Sequence, residues 1–395
     1  MGMTDLSRRR LLRLGALGAA GSVWLPDLHR VCTPRDAEAA TPGAVAPHAM
    51  RLFVRQERRW RDPSLWARDF GAMRRTCAEW DLMARTFTVL AAVNMALRDP
   101  GLAPRARALV DGILDDTRDA EGRHGFAHFL LPYGHRGGWR EAPASSVFVD
   151  GEVALMLAAR RTLGDTPTLR EALAARLDRF VPRMRASPLR SAESYPDECW
   201  TFCNTVALAA TRLADALDGS SHADLRAAWC ALARRRLVDP ATGMLVSSYT
   251  LDGRVGDGPE ASSLFMAAHD LLVVDPALAR DQYRRARRAF GRTVLGFGYA
   301  REWPDATGRD DVDSGPTVPG VGANAGASGL AVLGAAAFGD RVYLRALLAS
   351  LHLAAFPTRG DDGGLAYAAS NPVGDAVVLY ALTLGPLWQR LGGAA

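Results

Sequence analysis

Two kinds of helix alternate six times along this chain, and that alternation constrains the fold more than any other feature. One kind is rich in Ala, Leu and Val nearly all round, at about 79–98, 147–163, 199–217, 260–273, 324–338 and 371–385. The other carries an Arg-studded stripe, at about 104–118, 168–187, 222–237, 276–291 and 340–354, with a stretch near 49–75 to supply a sixth. A helix that is apolar all round is a buried helix, whereas a striped one covers it from outside. Strand signals are scarce, and Gly or Pro clusters punctuate the helices. The pattern predicts an all-α chain folded as an (α/α)6 barrel of six inner and about six outer helices. An open solenoid of helical hairpins is the alternative.

The first residues read as an address. Ser7-Arg8-Arg9-Arg10-Leu11-Leu12-Arg13 resembles the twin-arginine export motif, an apolar run from Leu11 to Leu25 follows, and Ala37-Glu38-Ala39 offers a small-residue cleavage site. The expectation is a signal over residues 1–39, read by the twin-arginine translocase, and a barrel domain over 40–395 in the periplasm or outside the cell. No segment approaches the roughly 20 uninterrupted apolar residues of a membrane helix.

Charge argues against nucleic acid. The net charge is +5, but the first 39 residues hold six Arg and four acids, leaving +3 for the rest. There is no Lys; every basic residue is Arg, and these are scattered over several helices. Of five cysteines, Cys32 lies in the expected signal, and Cys77, Cys199, Cys203 and Cys230 are too few for a disulfide scaffold. Cys199 and Cys203 lie four apart on the helix predicted at 199–217, where a bridge has poor geometry. No further Cys or His pair has metal-site spacing, so no metal is assigned. The eight His show no triad pattern, and the Gly-rich stretch from Gly315 to Gly329 lacks the Lys of a phosphate loop.

Polar residues concentrate where the inner helices begin. They are Glu79-Trp80-Asp81, Asp150-Gly151-Glu152, Tyr195 to Trp200, Asp257-Gly258-Pro259-Glu260, Asp311-Val312-Asp313-Ser314, and Tyr367 with Ser370-Asn371. For any single acid, capping against the helix dipole is the ordinary explanation. Six such segments around one rim would instead line a pocket in which carboxylates act as acid and base.

The segment Tyr195-Pro196-Asp197-Glu198-Cys199-Trp200-Thr201-Phe202-Cys203-Asn204-Thr205 resembles the centre of the linalool dehydratase/isomerase family. So do Asp239-Pro240-Ala241-Thr242-Gly243 leading into Ser247-Ser248-Tyr249, Asp275-Pro276, and the Asp311-Val312-Asp313 loop, over about 200 residues in matching order. The resemblance implies an (α/α)6 barrel, export, homo-oligomerisation, and cofactor-free acid–base removal or migration of a hydroxyl. It puts the second family cysteine on Cys203, the first on Ser194, which cannot act as a thiol, and the family histidine on Glu152. The early family aspartate has Asp81 and Asp69 as candidates.

On this basis Glu152 is the expected acid/base, with Cys203 and Tyr249 relaying or positioning a proton and Asp313 or Asp197 as second carboxylate. Asp81, Asp150, Ser194, Tyr195, Glu198, Cys199, Asn204, Glu260 and Asp311 are the expected substrate contacts. The leading function is a lyase or isomerase acting on a small hydroxylated, terpenoid-like substrate; two carboxyl groups with separated pKa values serve it without a cofactor. A glycan-active barrel enzyme is the second reading, with Trp80, Trp139, Trp200, Trp303 and Tyr299 as sugar-stacking candidates. Core packing is the favoured explanation for Trp80 and Trp200. A non-catalytic binding protein on the same barrel is the third.

Overall fold

The computed structural model describes residues 24–33, 44–304 and 314–391. The six apolar segments are the helices α3 (Glu79–Arg98), α5 (Val147–Arg161), α7 (Thr201–Asp218), α9 (Ala261–Leu271), α11 (Ala325–Ala337) and α13 (Pro372–Thr383). Each packs on the next, and α13 packs back on α3, so the ring closes. The chain is an (α/α)6 barrel, not an open solenoid.

The Arg-striped segments form the outer layer: α1 (Pro47–Arg61), α4 (Ala103–His124), α6 (Pro167–Ala186), α8 (Ala223–Arg236), α10 (Pro276–Ala289) and α12 (Arg341–Ala355). The stretch expected near 49–75 is two helices, α1 and then α2 (Pro63–Thr76). Pro63 has no N–H to continue α1, and Asp62 caps α2 by accepting from the Ser64 and Leu65 amides at 2.9 and 3.3 Å. The same Pro-after-cap device starts α6 at Thr166-Pro167, α10 at Asp275-Pro276 and α13 at Asn371-Pro372.

Burial explains the two compositions. Every residue of α5 from Val147 to Arg161 is buried, and each large apolar side chain so placed contributes roughly 1.5–3 kcal/mol. The ring is tight: a Cβ added at Gly151 would meet the Ala207 backbone at 3.3 Å, so a larger side chain there would push α5 off α7. In α10, by contrast, only Leu278, Ala279, Gln282, Tyr283 and Ala286 are buried, and the Arg face is left to water.

Three short antiparallel pairs link the helices: β1 (Cys199–Trp200) with β2 (Ser248–Tyr249), β3 (Gly291–Val294) with β4 (Phe297–Ala300), and β5 (Pro357–Arg359) with β6 (Leu365–Tyr367). Cys199 therefore sits in a strand opposite Tyr249, not on the helix expected to hold it, because α7 begins only at Thr201. No helix among the described residues is long and apolar enough to cross a membrane.

Candidate active site at the N-terminal rim of the inner helices

A cavity of about 570 Å³ opens where the inner helices begin. The start of α3 supplies Glu79, Trp80, Met83 and Phe87, and the segment entering α7 supplies Glu198, Trp200 and Phe202. Asp257, Glu260, Ser262, Ser263 and Met266 come from the start of α9, and Glu302 with Trp303 from the turn after β4. The starts of α11 and α13 complete the wall with Ser314, Gly326, Leu330, Ser370, Asn371 and Val377. Acids and hydroxyls thus share one chamber with indole and aliphatic surface.

Glu302 is the most enclosed acid on this wall, at 3% exposure. The Ser262 hydroxyl donates to its Oε1 at 2.5 Å and the Ser262 amide at 3.3 Å. Its Oε2 has no partner among the described residues. Burial pushes the Glu302 carboxyl above the usual carboxylate range, against the opposing pull of Ser262 and the nearby Ser314. Its backbone carbonyl accepts from the Ala261 amide at 2.9 Å, which fixes the loop against α9.

Glu79 has a different setting. It lies in the first turn of α3, where the helix dipole favours negative charge. It accepts a short hydrogen bond from the Tyr195 hydroxyl, which itself accepts from the Leu131 amide at 3.0 Å. Burial, and then the Glu79 charge beside it, keep the Tyr195 phenol protonated. Tyr195 stacks on cavity-lining Tyr133 with ring centroids 4.3 Å apart. It stands behind the wall and holds Glu79 from there.

The other expected site residues fall into distinct places. Glu198 and Glu260 line the cavity. Asp81 is buried between Arg74 and Arg85, at 2.5 and 2.8 Å, and Asp150 faces Arg176 and Arg179 on α6, at 2.7 and 3.2 Å. Neither lines the cavity; both join inner to outer elements. Asp197, at φ 53°, turns toward Arg140 at 3.2 Å. Asn204 accepts from the Ala192 amide at 2.9 Å and donates to the Ala192 and Trp200 carbonyls, which holds the approach to α7. Ser194 accepts from the Trp200 amide at 3.1 Å. Tyr249 meets Ser191 at 2.7 Å, and Trp229 donates to the same Ser191 at 3.1 Å, behind the cavity. Asp311 and Asp313 lie outside the described residues.

Cys199 and Cys203 are both buried, and burial pushes both thiols well up, so neither is a ready thiolate. Among the described residues no three His, Cys, Asp or Glu side chains converge to hold a metal ion.

Glu152 lies on α5, the one inner helix that lends nothing to the cavity wall. It is fully buried, neither carboxylate oxygen has a close hydrogen-bond partner among the described residues, and burial pushes it up to about 7 against the opposing pull of the Thr86 hydroxyl. Asp270 near the end of α9 is likewise buried, with neither oxygen hydrogen-bonded among the described residues and His269 Nε2 4.0 Å from its Oδ1, and is pushed up by burial and by the charge of Glu152. Beside Asp270, His269 meets the Tyr380 hydroxyl at 2.9 Å, and burial lowers this imidazole to about 3. These groups form an enclosed polar layer distinct from the wall.

Trp80, Trp200 and Trp303 line the cavity, and Trp80 and Trp200 also pack against the hydrophobic core, as expected for them. Trp139 packs edge-on against Phe126 instead, at 5.5 Å. Sequence reasoning placed Glu79 on the rim without giving it a role, and it missed Glu302. The signal was present: in Glu79-Trp80, Glu198-Cys199-Trp200 and Glu302-Trp303, an acid and an indole lie within two residues of each other.

A family model described as linalool dehydratase/isomerase matches residues 152–373, a span that includes Glu198, Glu260 and Glu302. No curated protein matches the chain. Among solved structures, the unsaturated glucuronyl hydrolase of Bacillus sp. GL1 aligns with a TM-score of 0.50 at 11% identity, over 77% of this chain and 94% of its own. A GH76 alpha-mannanase of Bacteroides thetaiotaomicron aligns at 0.49 and 10% identity, over 78% and 86%. A family 105 glycoside hydrolase of C. acetobutylicum aligns at 0.47 and 13% identity, over 78% and 94%. At such identities the likeness concerns the fold alone.

Proposed function

Since the chain belongs to the linalool dehydratase/isomerase family, we propose that it is a cofactor-independent lyase or isomerase acting on a small hydroxylated substrate in the rim cavity. The observation that carries this reading is the contrast between two carboxyl groups on one wall. Glu302 is enclosed, pushed up, and has an oxygen to spare. Glu79 accepts from Tyr195 at a helix N-terminus. Environments that differ in this way separate an acid from a base.

In dehydration, protonated Glu302 gives its proton to the substrate hydroxyl as the carbon–oxygen bond breaks and water leaves. Glu79 takes the proton from the neighbouring carbon, whose bonding pair becomes the new double bond. Solvent returns the proton from Glu79 to Glu302, which closes the cycle without net charge. Hydration runs the same steps backwards, and re-addition of water at the far end of an allylic system gives isomerisation.

The proposal assigns the acid to Glu302 rather than Glu152, because only Glu302 lines the cavity. Cys203 and Tyr249 support the wall from behind. Incubation with tertiary and allylic alcohols in deuterated water tests the reading: water loss or deuterium uptake supports it, and silence across the panel from folded protein opposes it. A glycan substrate is the second reading, favoured by Trp80, Trp200 and Trp303 on the wall. Turnover of oligosaccharides but not alcohols would establish it.

Export by the twin-arginine route belongs to the same proposal, on the strength of Arg8-Arg9-Arg10 followed by the apolar run. Fusion of residues 1–39 to a reporter should send it across the membrane, and Arg8→Gln with Arg9→Gln and Arg10→Gln should retain it.

A further inference from the structure

We propose that this chain docks on an anionic lipid surface through an apolar patch that three elements build outside the rim cavity. The first is a helix over residues 24–32, seated on the barrel by His29 and by the buried Cys32. His29 Nε2 donates to the Gly296 carbonyl at 3.0 Å, and its ring packs edge-on against Phe297. Trp24, Leu28 and Val31 share the opposite face of that helix and stand exposed. The second element is the tip of the β3–β4 hairpin that His29 touches, where Val294 and Leu295 are exposed. The third is the end of α12. Tyr343 of that helix donates to the Tyr299 carbonyl at 2.8 Å, and Gly298 abuts Ala346 and Leu347. β4 therefore runs back along α12, which directs the hairpin tip toward exposed Phe356.

Backbone strain singles out two of these residues. Leu295 and Phe356 hold φ of 52° and 51°, the left-handed region that a bulky side chain avoids. A two-residue hairpin turn ordinarily carries Asn-Gly where this chain has Leu295-Gly296. Both residues present a large apolar side chain outward, at 67% and 63% exposure, where it gains little from the barrel's own core. Strain of this kind collects at binding sites. Charge and sequence name the occupant. Exposed Arg30, Arg288 and Arg359 lie on the helix or within three residues of the other two elements, set against Asp27 on the helix. Residues 1–23 lead into the helix and hold Arg8, Arg9, Arg10 and Arg13 against Asp5. The apolar run from Leu11 to Leu25 is shorter than the roughly 20 residues that span a bilayer. Cations beside separate apolar side chains, a tryptophan among them, match a headgroup layer over acyl chains.

Flotation of the full chain with vesicles tests the inference. Binding to vesicles of phosphatidylglycerol and phosphatidylcholine should be about ten-fold tighter or more than to phosphatidylcholine alone, with the preference shrinking as salt rises. Leu295→Asn and Phe356→Asn should each weaken binding about ten-fold, the loss of one large apolar anchor. Neither should lower the thermal midpoint, because Asn accepts the left-handed conformation more readily than Leu or Phe. Val255→Ser, at an exposed valine on another turn, should leave binding unchanged. Binding that survives both Asn variants belongs to residues 1–23 alone and overturns the inference, as does an equal loss in Val255→Ser or no binding by the parent. Light scattering adds a further contrary outcome: if the Asn variants change oligomer size and leave vesicle binding intact, the patch is a contact between copies of the chain.

Discussion

Ser262 holds Glu302 by two donors, its hydroxyl and its amide, on the same carboxylate oxygen. Both favour the ionised form and oppose the effect of burial. Ser262→Ala removes the stronger donor, so the Glu302 carboxyl should rise further. An acid must be protonated to act, so activity is lost as pH rises through its pKa; the basic limb of the kcat profile should therefore move to higher pH. A pH profile of the variant beside the parent measures this shift.

Tyr195→Phe should act through Glu79. It removes a hydrogen bond to a charged group, worth roughly 1.5–3 kcal/mol, so kcat should fall about ten- to hundred-fold. It also orphans the Leu131 amide that donates to Tyr195, with a stability cost of about 1–3 kcal/mol. Kinetics and thermal melts separate the two effects.

Glu152 gives a pH-dependent stability term whose sign is fixed. Its carboxyl is raised in the folded state to about 7 from an ordinary 4.5, so the folded protein binds the proton more tightly than the unfolded chain. Stability from this group is present below about pH 4.5 and is lost as pH rises toward about 7. The loss is on the order of 3 kcal/mol. Glu152→Gln should flatten the fall in urea-unfolding free energy over that interval and stabilise the protein at pH 8. Asp270→Asn should stabilise it in the same direction, because Asp270 is also pushed up.

Gly326 lets α11 begin against the Ser314 segment. An added Cβ would lie 2.1 Å from the Ser314 carbonyl oxygen, to which the Gly326 amide donates at 3.0 Å. Gly326→Ala should displace Ser314 from the cavity wall and cost about 1–3 kcal/mol. Thermal melts and turnover of the alcohols together check it.

The fold was legible because burial dictates composition. A ring of helices buried all round must be apolar all round, and the Arg stripes of α6 and α10 could only face out. The position of the cavity was legible too, since acids gather at the rim. Which acids face inward was not. Glu79 and Asp81 are two residues apart on one helix turn, yet the first lines the cavity and the second meets Arg74 and Arg85. Asp150 meets arginines of the outer layer for the same reason. Helical periodicity separates such neighbours only when the cavity axis is known. Glu302 comes from a turn after a β-hairpin, where periodicity carries no information; only its neighbour Trp303 marked it.

The most direct test of the central claim places Glu302→Gln and Glu152→Gln beside the parent. All three are incubated with the same alcohols in deuterated water, with folding confirmed by circular dichroism. Loss of general-acid catalysis should lower deuterium uptake and water loss by about 10²- to 10⁴-fold in Glu302→Gln and leave Glu152→Gln within about ten-fold of the parent. Full activity in Glu302→Gln, with collapse in Glu152→Gln, would contradict the account and move the chemistry from the cavity wall to the buried layer beyond it.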